Sequence, residues 1–230
     1  MTSEKPAGKV IPSISSKLRH HILTVPDEAR RVSGIVINGT RIKTLVFTTD
    51  IAIIRNCNAD AVLAVYPFTP QPTISDSVLR YSSLPVFCGV GGGTTQGSRT
   101  THLAWDAENE GAMGVVVNAP MSNKNIRAIC DVIDIPLVVT VVSEKTNVAA
   151  RLEAGASILN VSAASRTPEV VRAIRRDFPD VPIIATGGPT PESIKNTVEA
   201  GANAISYTPP STKELFSLMM DYYRRMGDEA

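Results

Sequence analysis

The sequence predicts an α/β protein with a closed (β/α)8 barrel, the TIM-barrel architecture. Short apolar runs rich in β-branched residues alternate with helix-like stretches along the 230-residue chain, which is the pattern of βαβ units around a buried parallel sheet. Eight such runs are present, and eight units make up a closed barrel. The runs lie at residues 44–50, 61–66, 85–89, 113–118, 136–143, 157–162, 182–188 and 204–208. Such barrels carry their chemistry at the carboxyl ends of the strands, so the residues that end each run are the candidates for a site.

Start and stop signals for the intervening helices support this order. Gly111, Gly155 and Gly201 each lie between a helix-like stretch and an apolar run, where a helix commonly ends on a left-handed residue. Thr167-Pro168-Glu169 and Thr190-Pro191-Glu192 combine an N-cap candidate, a proline at the first helical position and an acid in the first turn. These signals give every unit the same helix-to-strand direction.

The chain is predicted to have a tail and a helical segment at residues 1–32, followed by a single barrel domain at residues 33–230. Residues 1–10 are polar and resemble a loose tail. Apolar residues recur at helical spacing over residues 14–32, and Pro26 should divide this stretch into two short helices.

A hairpin is predicted between this segment and the first barrel strand. Asn38-Gly39 separates the β-branched run at residues 35–37 from a return strand that starts near Arg41, and Asn-Gly fits the positive φ angles of a type I′ turn. We interpret the hairpin and the helical segment as a cover for the amino-terminal floor of the barrel. A contact between subunits is the alternative interpretation.

The amino-acid composition limits the class of partner that the chain is expected to bind. The 23 basic and 22 acidic residues nearly cancel, so no charge footprint indicates nucleic acid or an anionic membrane, and a small molecule is the expected ligand. Cys57, Cys88 and Cys130 are far apart and form no CxxC pair, as expected for thiols in a reducing compartment. The first thirty residues contain no apolar stretch of signal-peptide type, so we expect a cytoplasmic protein, with homo-oligomerisation left open.

An anion site is predicted after the seventh and eighth barrel strands. Gly187 and Gly188 would let backbone N–H groups approach an anion, and the hydroxyls of Thr208 and Ser211 follow the eighth strand. Loops at this corner of a barrel often bind phosphate. A tight turn without a ligand is the alternative.

The same region resembles known phosphate-binding barrels. Residues 183–188, followed by a helix that ends at residues 199–202, are similar to the corresponding segment of ribulose-phosphate-type enzymes, keto-acid aldolases and thiamine-phosphate synthase. The resemblance implies a phosphate or carboxylate ligand at this corner. The chain departs from it at Pro209-Pro210, where a glycine is usual and where neither residue has an N–H to donate.

A second glycine cluster follows the third strand, at Gly91, Gly92, Gly93 and Thr94. Three consecutive glycines lose much backbone entropy when ordered, so the loop is expected to be a lid or a cradle for a ligand; a passive linker is the alternative. Neither a P-loop nor a dinucleotide-binding spacing is present.

Asp50 closes the first barrel strand and has two interpretations. If it points into the barrel, Thr48 and Val46 share that face, and Asp50 can be a general acid/base or a hydroxyl-binding group. It is equally placed to cap the helix that starts at Ile51.

Three further side chains are candidate catalytic residues. Asn118 and Asn160 lie at the ends of apolar runs, where an unpaired amide costs about 1–3 kcal/mol and therefore needs a partner. A ligand, a buried water or a neighbouring strand residue could be that partner. Glu144 follows the fifth strand and is either an acid at the catalytic rim or a solvated loop residue.

Absent residue types narrow the chemistry. No lysine ends a strand, and the sixth strand carries Asn160 at that place, so a class I Schiff-base aldolase is disfavoured. No histidine cluster predicts a zinc site, and we expect no cofactor. Magnesium held by Asp50 and a substrate phosphate stays open.

The chain as a whole also resembles bacterial barrel proteins known only by a hydrolase label, through residues 47–50, 88–93 and 185–190. The hypothesis is a barrel enzyme that acts on a small anionic, phosphorylated metabolite by hydrolase or lyase/isomerase chemistry, with Asp50 as acid/base. The alternative is a non-catalytic, ligand-sensing barrel that resembles the glycerol-operon antiterminator.

Overall fold

A computed structural model describes residues 23–228, together with residues 12 and 14, and shows a closed parallel β-barrel surrounded by helices. The strands are β1 Ile35–Ile37, β2 Thr40–Ile42, β3 Thr44–Phe47, β4 Ala61–Ala64, β5 Val86–Gly91, β6 Gly114–Val117, β7 Leu137–Val141, β8 Ile158–Val161, β9 Ile183–Thr186 and β10 Ala204–Tyr207. The helices are α1 Ile51–Arg55, α2 Pro72–Tyr81, α3 Ser98–Asn109, α4 Asn123–Cys130, α5 Val148–Glu153, α6 Thr167–Asp177, α7 Pro191–Glu199 and α8 Thr212–Asp228.

The predicted (β/α)8 barrel is confirmed. β3 to β10 pair in parallel in the order of the sequence, and β10 closes the ring by pairing with β3, with Tyr207 opposite Val46. Each of the eight barrel strands is only four to six residues long, and its residues are almost all buried because helices cover the outer face of the ring. None of the helices among the described residues is long and apolar enough to cross a membrane.

The barrel interior and the hairpin share one apolar cluster. β1 and β2 form the predicted antiparallel hairpin around Asn38-Gly39, and Asn38 has a positive φ of 47°. The hairpin contributes three buried isoleucines to the interior cluster, which contains Ile35, Ile37, Ile42, Leu45, Ala61, Leu63, Phe87, Val116, Val138, Ile158, Ile184 and Ala204. The hairpin therefore covers the floor of the barrel, as predicted.

The segment before the hairpin departs from the predicted second helix. After Pro26, residues Asp27–Arg31 form a single 3-10 turn, which packs against α7 and the outer side of β10. The turn is short because Val32 after it is already extended, and Val25, Ala29 and Val32 are buried in the outer core. The helix predicted before Pro26 lies mostly outside the described residues, and the boundary at residue 32 stays a prediction.

Asp60 ties the floor of the barrel together. Its Oδ2 accepts hydrogen bonds from the backbone N–H groups of Lys43 and Thr44 at 3.0 and 2.9 Å, and from the Thr44 hydroxyl at 3.1 Å. Its Oδ1 lies 3.5 Å from Nη1 of Arg30, which belongs to the 3-10 turn. One carboxylate thus joins the start of β3 to the start of β4 and to the turn outside the barrel.

We expect Asp60→Ala to lower the free energy of unfolding by about 1–3 kcal/mol, because the two backbone donors would be left in a partly buried floor without an acceptor. Urea denaturation followed by circular dichroism measures this loss. Asp134→Ala, at an exposed acid with no side-chain hydrogen bond among the described residues, is the control and should change stability by less than about 0.5 kcal/mol. Equal effects of the two substitutions would contradict the role given to Asp60.

Candidate functional site

The carboxyl-terminal mouth of the barrel contains a cavity of about 200 Å³. Side chains alternate between the two faces of a strand, so every second residue of each barrel strand points into the ring and the last of these meet at the mouth. The lining is Phe47, Leu63, Val65, Val116, Asn118, Thr140, Asn160, Ser162, Thr186, Ser206 and Thr208. Most of these side chains are hydroxyls or amides, and none is charged. The mouth can therefore donate and accept hydrogen bonds but carries no ionisable group of its own.

Asn160 is the most informative side chain of the mouth. It lies opposite Thr140 in the β7–β8 register and is 8% exposed, and its Nδ2 donates to the Thr140 hydroxyl at 3.3 Å. Among the described residues, its Oδ1 is the buried side-chain polar atom without a hydrogen-bond partner. If the amide is rotated by half a turn, the unpartnered atom becomes the nitrogen, so one buried polar atom of Asn160 lacks a partner in either orientation. An unpartnered buried polar atom costs about 1–3 kcal/mol of folding free energy, which a ligand that hydrogen-bonds to it would recover.

Two larger cavities adjoin the mouth on opposite sides. The glycine-loop cleft, of about 480 Å³, lies between the loops after β4 and β5 and shares Val65, Val116 and Asn118 with the mouth. The corner cavity, of about 620 Å³, lies beside the β9–α7 turn and shares Thr186 and Thr208 with the mouth. The three spaces together could hold a ligand much longer than the mouth alone.

The glycine loop after β5 is a fixed wall of its cleft. The N–H of Gly92 donates to Thr95 O at 2.9 Å, and the N–H of Asn118 donates to Gly91 O at 2.9 Å. Gly92 has a φ of +109°, and a Cβ added there would lie 2.5 Å from the backbone nitrogen of Asn118. Close backbone packing therefore requires glycine at positions 91 and 92, and the lid interpretation of this loop stays a prediction. Gly93 and Thr94 are exposed and line the cleft, as a ligand cradle would.

The β9–α7 turn offers fewer hydrogen-bond donors to an anion than the sequence predicted. The N–H of Gly187 donates to Ser206 O at 3.1 Å, and a Cβ on Gly187 would lie 2.8 Å from Ile205 and 2.9 Å from Ile194, so this glycine is required by packing. The N–H of Gly188 makes no hydrogen bond with any described residue, and Thr208 lines both the corner cavity and the mouth. Gly188 and Thr208 are thus the two predicted anion ligands that remain available.

Ser211 caps α8 instead of facing a ligand. Its N–H and its hydroxyl both donate to Oε2 of Glu214 at 2.7 Å, and the Glu214 N–H donates back to the Ser211 hydroxyl at 3.3 Å. These bonds from Ser211 lower the pKa of Glu214 below its ordinary value. The place at the start of α8 where a phosphate could bind is therefore filled by a carboxylate of the chain itself. Ser211 is therefore engaged in the cap of α8 and is not available as a ligand of the predicted anion site.

Asp50 is the N-cap of α1. Its Oδ1 accepts hydrogen bonds from the N–H groups of Ala52 at 2.8 Å and Ile53 at 3.2 Å, and its Oδ2 accepts one from the hydroxyl of Thr212. The Thr212 hydroxyl and the two amides hold the pKa of Asp50 below its ordinary value, against the opposing effect of burial. A carboxylate stabilised in this way is a weak base.

Asp50 also does not line the mouth. The interior residues of β3 are Leu45 and Phe47, whereas Val46 belongs to the outer core, so the sequence-based face that grouped Val46 with an inward Asp50 is wrong. The helix-cap interpretation of Asp50 is confirmed. A catalytic role for it stays a prediction that this geometry disfavours.

Glu144 lies in the turn after β7, where Thr146 N donates to Ser143 O at 3.1 Å and Lys145 N to the Ser143 hydroxyl at 3.1 Å. Glu144 is exposed and does not line the mouth or either adjoining cavity. Its geometry is that of a solvated loop acid. The structure therefore brings Asn118 and Asn160 together at the mouth and leaves Asp50 and Glu144 outside it.

Sequence reasoning missed several hydroxyls of the mouth. Thr140, Ser162, Thr186 and Ser206 point inward beside Asn160 but were not singled out. The signal was present, because each is a polar residue in an apolar run and lies at an inward position of its strand.

Comparison with known proteins identifies the fold alone. No family model and no curated protein matches the chain. Among solved structures, a phosphonopyruvate hydrolase in complex with oxalate and Mg²⁺ is similar with a TM-score of 0.61 and 13% identity, over 84% of this chain and 84% of that one.

Two other solved structures are similar in fold at equally low sequence identity. A phosphoenolpyruvate phosphomutase from Streptomyces platensis subsp. rosaceus has a TM-score of 0.60 at 13% identity, over 80% of this chain and 81% of that one. A 2,3-dimethylmalate lyase of the PEP mutase/isocitrate lyase superfamily has a TM-score of 0.62 at 14% identity, over 87% of this chain and 82% of that one.

The mouth does not fit magnesium. Mg²⁺ prefers carboxylate oxygens, and the mouth offers neutral hydroxyls and amides only. Asp50, which the sequence left open as a ligand, has both oxygens engaged in hydrogen bonds. Nor do the described residues contain a group of three or more His, Cys, Asp or Glu side chains that could hold a metal ion. No metal enters the chemistry that follows.

We expect Gly92→Ala to destabilise the chain by about 2 kcal/mol or more, because a Cβ would clash with the backbone of Asn118 and the positive φ is strained for alanine. Thermal denaturation measures the effect. Gly93→Ala is the matched control, because a Cβ there meets nothing within 4 Å. A loop that tolerates both substitutions equally would be mobile, contrary to the fixed wall described above.

The lowered pKa of Asp50 predicts a pH-dependent contribution to stability. A carboxylate whose pKa is depressed by folding stabilises the fold above its ordinary value of 3.8, and this contribution is lost as the pH falls through the lowered pKa. Asp50→Asn keeps a capping oxygen without the charge, so it should be less stable than the native chain by about 0.5–1 kcal/mol at pH 7. The difference should vanish in urea denaturation near pH 2. A difference that persists there would mean that the cap depends on shape and not on charge.

Proposed function

We propose that this chain is a barrel enzyme whose active site is the mouth, and that it acts on a small polar metabolite that donates a hydrogen bond to Asn160. The observation that carries the proposal is the unpartnered Oδ1 of Asn160, buried at the place where barrels carry their chemistry. The hydrolase, phosphomutase and lyase among the solved structures of similar fold support an enzymatic use of this mouth.

The lining favours a hydroxylated or amine-bearing ligand. Asn160 Oδ1 needs an O–H or N–H donor, while Asn118 and the hydroxyls of Thr186 and Ser206 can donate to ligand oxygens. A space of about 200 Å³ holds roughly six or seven water-sized groups at about 30 Å³ each, so the reacting part of the ligand is small. The rest of a larger ligand would extend into one of the adjoining cavities.

An anionic group of the ligand is placed by this proposal in the corner cavity. The N–H of Gly188 and the hydroxyl of Thr208 can donate to it. Neutral donors of this kind suit a carboxylate or a single phosphate held by hydrogen bonds, with no arginine or lysine in the lining to add charge.

The lining of the mouth suits chemistry in which negative charge develops on a substrate oxygen, as in an enolate, because its amides and hydroxyls can donate hydrogen bonds to that oxygen. Hydrolysis and lyase or isomerase chemistry both need a base, to take a proton from water or from the substrate. The two candidate acids, Asp50 and Glu144, do not line the mouth. In either reaction the proton would therefore pass to the ligand's own anionic group.

A non-catalytic sensor is the second candidate. It is favoured by one observation, the absence of any ionisable side chain from the lining of the mouth. The same pocket would then bind its ligand without converting it, and binding would change the stability or assembly of the chain. Detection of a product is what separates the two functions.

Asn160→Leu tests the site itself. Leucine has the same branched shape without polar atoms, so we expect the variant to be more stable than the native chain by about 1 kcal/mol, since it removes the unpartnered atom. The same change should abolish the thermal stabilisation that hydroxy acids or phosphorylated sugars give the native chain. Asn109→Leu, an exposed position at the end of α3, is the matched control and should retain that stabilisation.

Testing small polar and anionic compounds for thermal stabilisation of the native chain and of Asn160→Leu has three informative outcomes. A compound that stabilises the native chain and is converted, as seen by NMR of the reaction mixture, supports the enzyme. A stabilising compound that stays unchanged at high protein concentration supports the sensor. If Asn160→Leu binds every stabilising compound as the native chain does, the mouth is not the site.

A further inference from the structure

The glycine-loop cleft beside the mouth has two walls of different chemistry. The loop after β4 provides one wall, with the side chains of Tyr66 and Phe68 and with two prolines. The end of β5 and the loop after it provide the other wall, which consists of glycines and threonines. None of the described residues that line the cleft is charged. A ligand in this space therefore meets aromatic rings on one side and backbone with small side chains on the other.

The loop after β4 holds an aromatic ring at the edge of the cleft. Phe68 is 74% exposed, more than any other Phe, Tyr or Trp side chain that the structure describes. Pro67 and Pro70 restrict the backbone on both sides of it, because their rings fix φ. The N–H of Gln71 donates to the hydroxyl of Tyr66 at 2.8 Å, which joins the two ends of this loop. The ring of Phe68 is thus presented on a constrained loop and is left largely uncovered by the chain itself.

The opposite wall is open because one of its glycines carries no side chain although the fold would permit one. A Cβ added at Gly93 would meet nothing within 4 Å, and Gly93 does not have the positive φ that Gly91 and Gly92 have. Packing and backbone conformation explain glycine at those two positions but not at Gly93. What the missing side chain provides is access, since backbone without a Cβ can be approached closely by a flat group.

The cleft is continuous with the mouth. Val65, Val116 and Asn118 line both spaces. One molecule can therefore place a small group in the mouth and a second group in the cleft. The mouth holds about 200 Å³, and the cleft adds about 480 Å³. At about 30 Å³ for each water-sized group, the cleft has room for a single ring or for two fused rings.

We propose that the ligand of the mouth carries a flat, uncharged aromatic ring and that this ring binds in the glycine-loop cleft against Phe68. This inference rests on the proposed function, in which the same ligand donates a hydrogen bond to Asn160. Aromatic rings attract one another in offset and edge-to-face arrangements, and the neutral lining of the cleft suits a ring without charge. Tyr66 and the open backbone at Gly93 bound the ring on its other sides. Phe68 is then the residue that selects ring-bearing ligands over those without a ring.

Two classes of compound share this chemistry. A hydroxy acid with an aryl group and a sugar phosphate with a purine base each combine a flat ring, a hydroxyl for Asn160 and an anion for the corner cavity. Lactate with phenyllactate, and ribose-5-phosphate with adenosine monophosphate, form two pairs in which only the second member has an aromatic ring. The pair in which the ring improves binding identifies the class.

Titration calorimetry of the full chain with these four compounds tests the proposal. In at least one pair the ring-bearing member should bind the native chain about tenfold more tightly than its partner, or better, because stacking on an aromatic side chain is favourable. Phe68→Ala should remove that gain, so that both members of the pair bind with the affinity of the ringless one. Phe68→Tyr keeps a ring at this position and should keep the gain. Phe68 is exposed, so circular dichroism should show an unchanged fold for both variants.

Tyr81→Ala is the matched control. Tyr81 is 62% exposed at the end of α2 and does not line the cleft, so its removal should leave all four affinities unchanged. A ring that adds nothing in either pair, or a gain that survives Phe68→Ala, overturns the proposal. Either result leaves the proposed function intact if the ringless compounds still bind and Asn160→Leu abolishes their binding. A native chain that binds none of the four compounds contradicts both.

Discussion

The alternation of side chains along eight parallel strands is the constraint on which this structure depends. Because the ring is closed, each inward residue has inward neighbours on both sides, and equivalent positions form layers. The lower layers are apolar and join the hairpin isoleucines, whereas the uppermost layer carries amides and hydroxyls. A polar pocket above a sealed apolar floor follows from this pattern alone. The chemistry of the chain is confined to what that uppermost layer and its loops provide.

Two carboxylates of this chain, Asp50 and Glu214, act at the starts of helices, away from the mouth. Asp50 caps α1 and also binds Thr212 at the start of α8, and Glu214 closes the cap of α8 through Ser211. Negative charge at a helix N-terminus is stabilising, which explains why these acids are held there. The same arrangement leaves the mouth neutral.

The sequence predicted the fold well because strand and helix periodicities extend over the whole chain and agree with one another. It also identified Asn160, since an amide in an apolar run needs a partner. The direction of Asp50 could not be predicted, because it lies after the strand, where the alternation of faces no longer applies. The role of Ser211 was readable in principle: Ser211 and Glu214 have the spacing of a capping box. Close packing of Gly92 on Asn118 depends on two loops distant in sequence and left no local signal.

The pairing of the first barrel strand with the last has a consequence for how the chain folds. β3 and β10 close the ring, and the hydrogen bond between Asp50 and Thr212 spans 162 positions of sequence. Contacts between such distant residues form late because a long loop must be closed first. Until β10 is in place, β3 and β9 each present an open edge that can pair with another chain. Nascent or truncated forms lacking the last strand would therefore be the species most prone to aggregate.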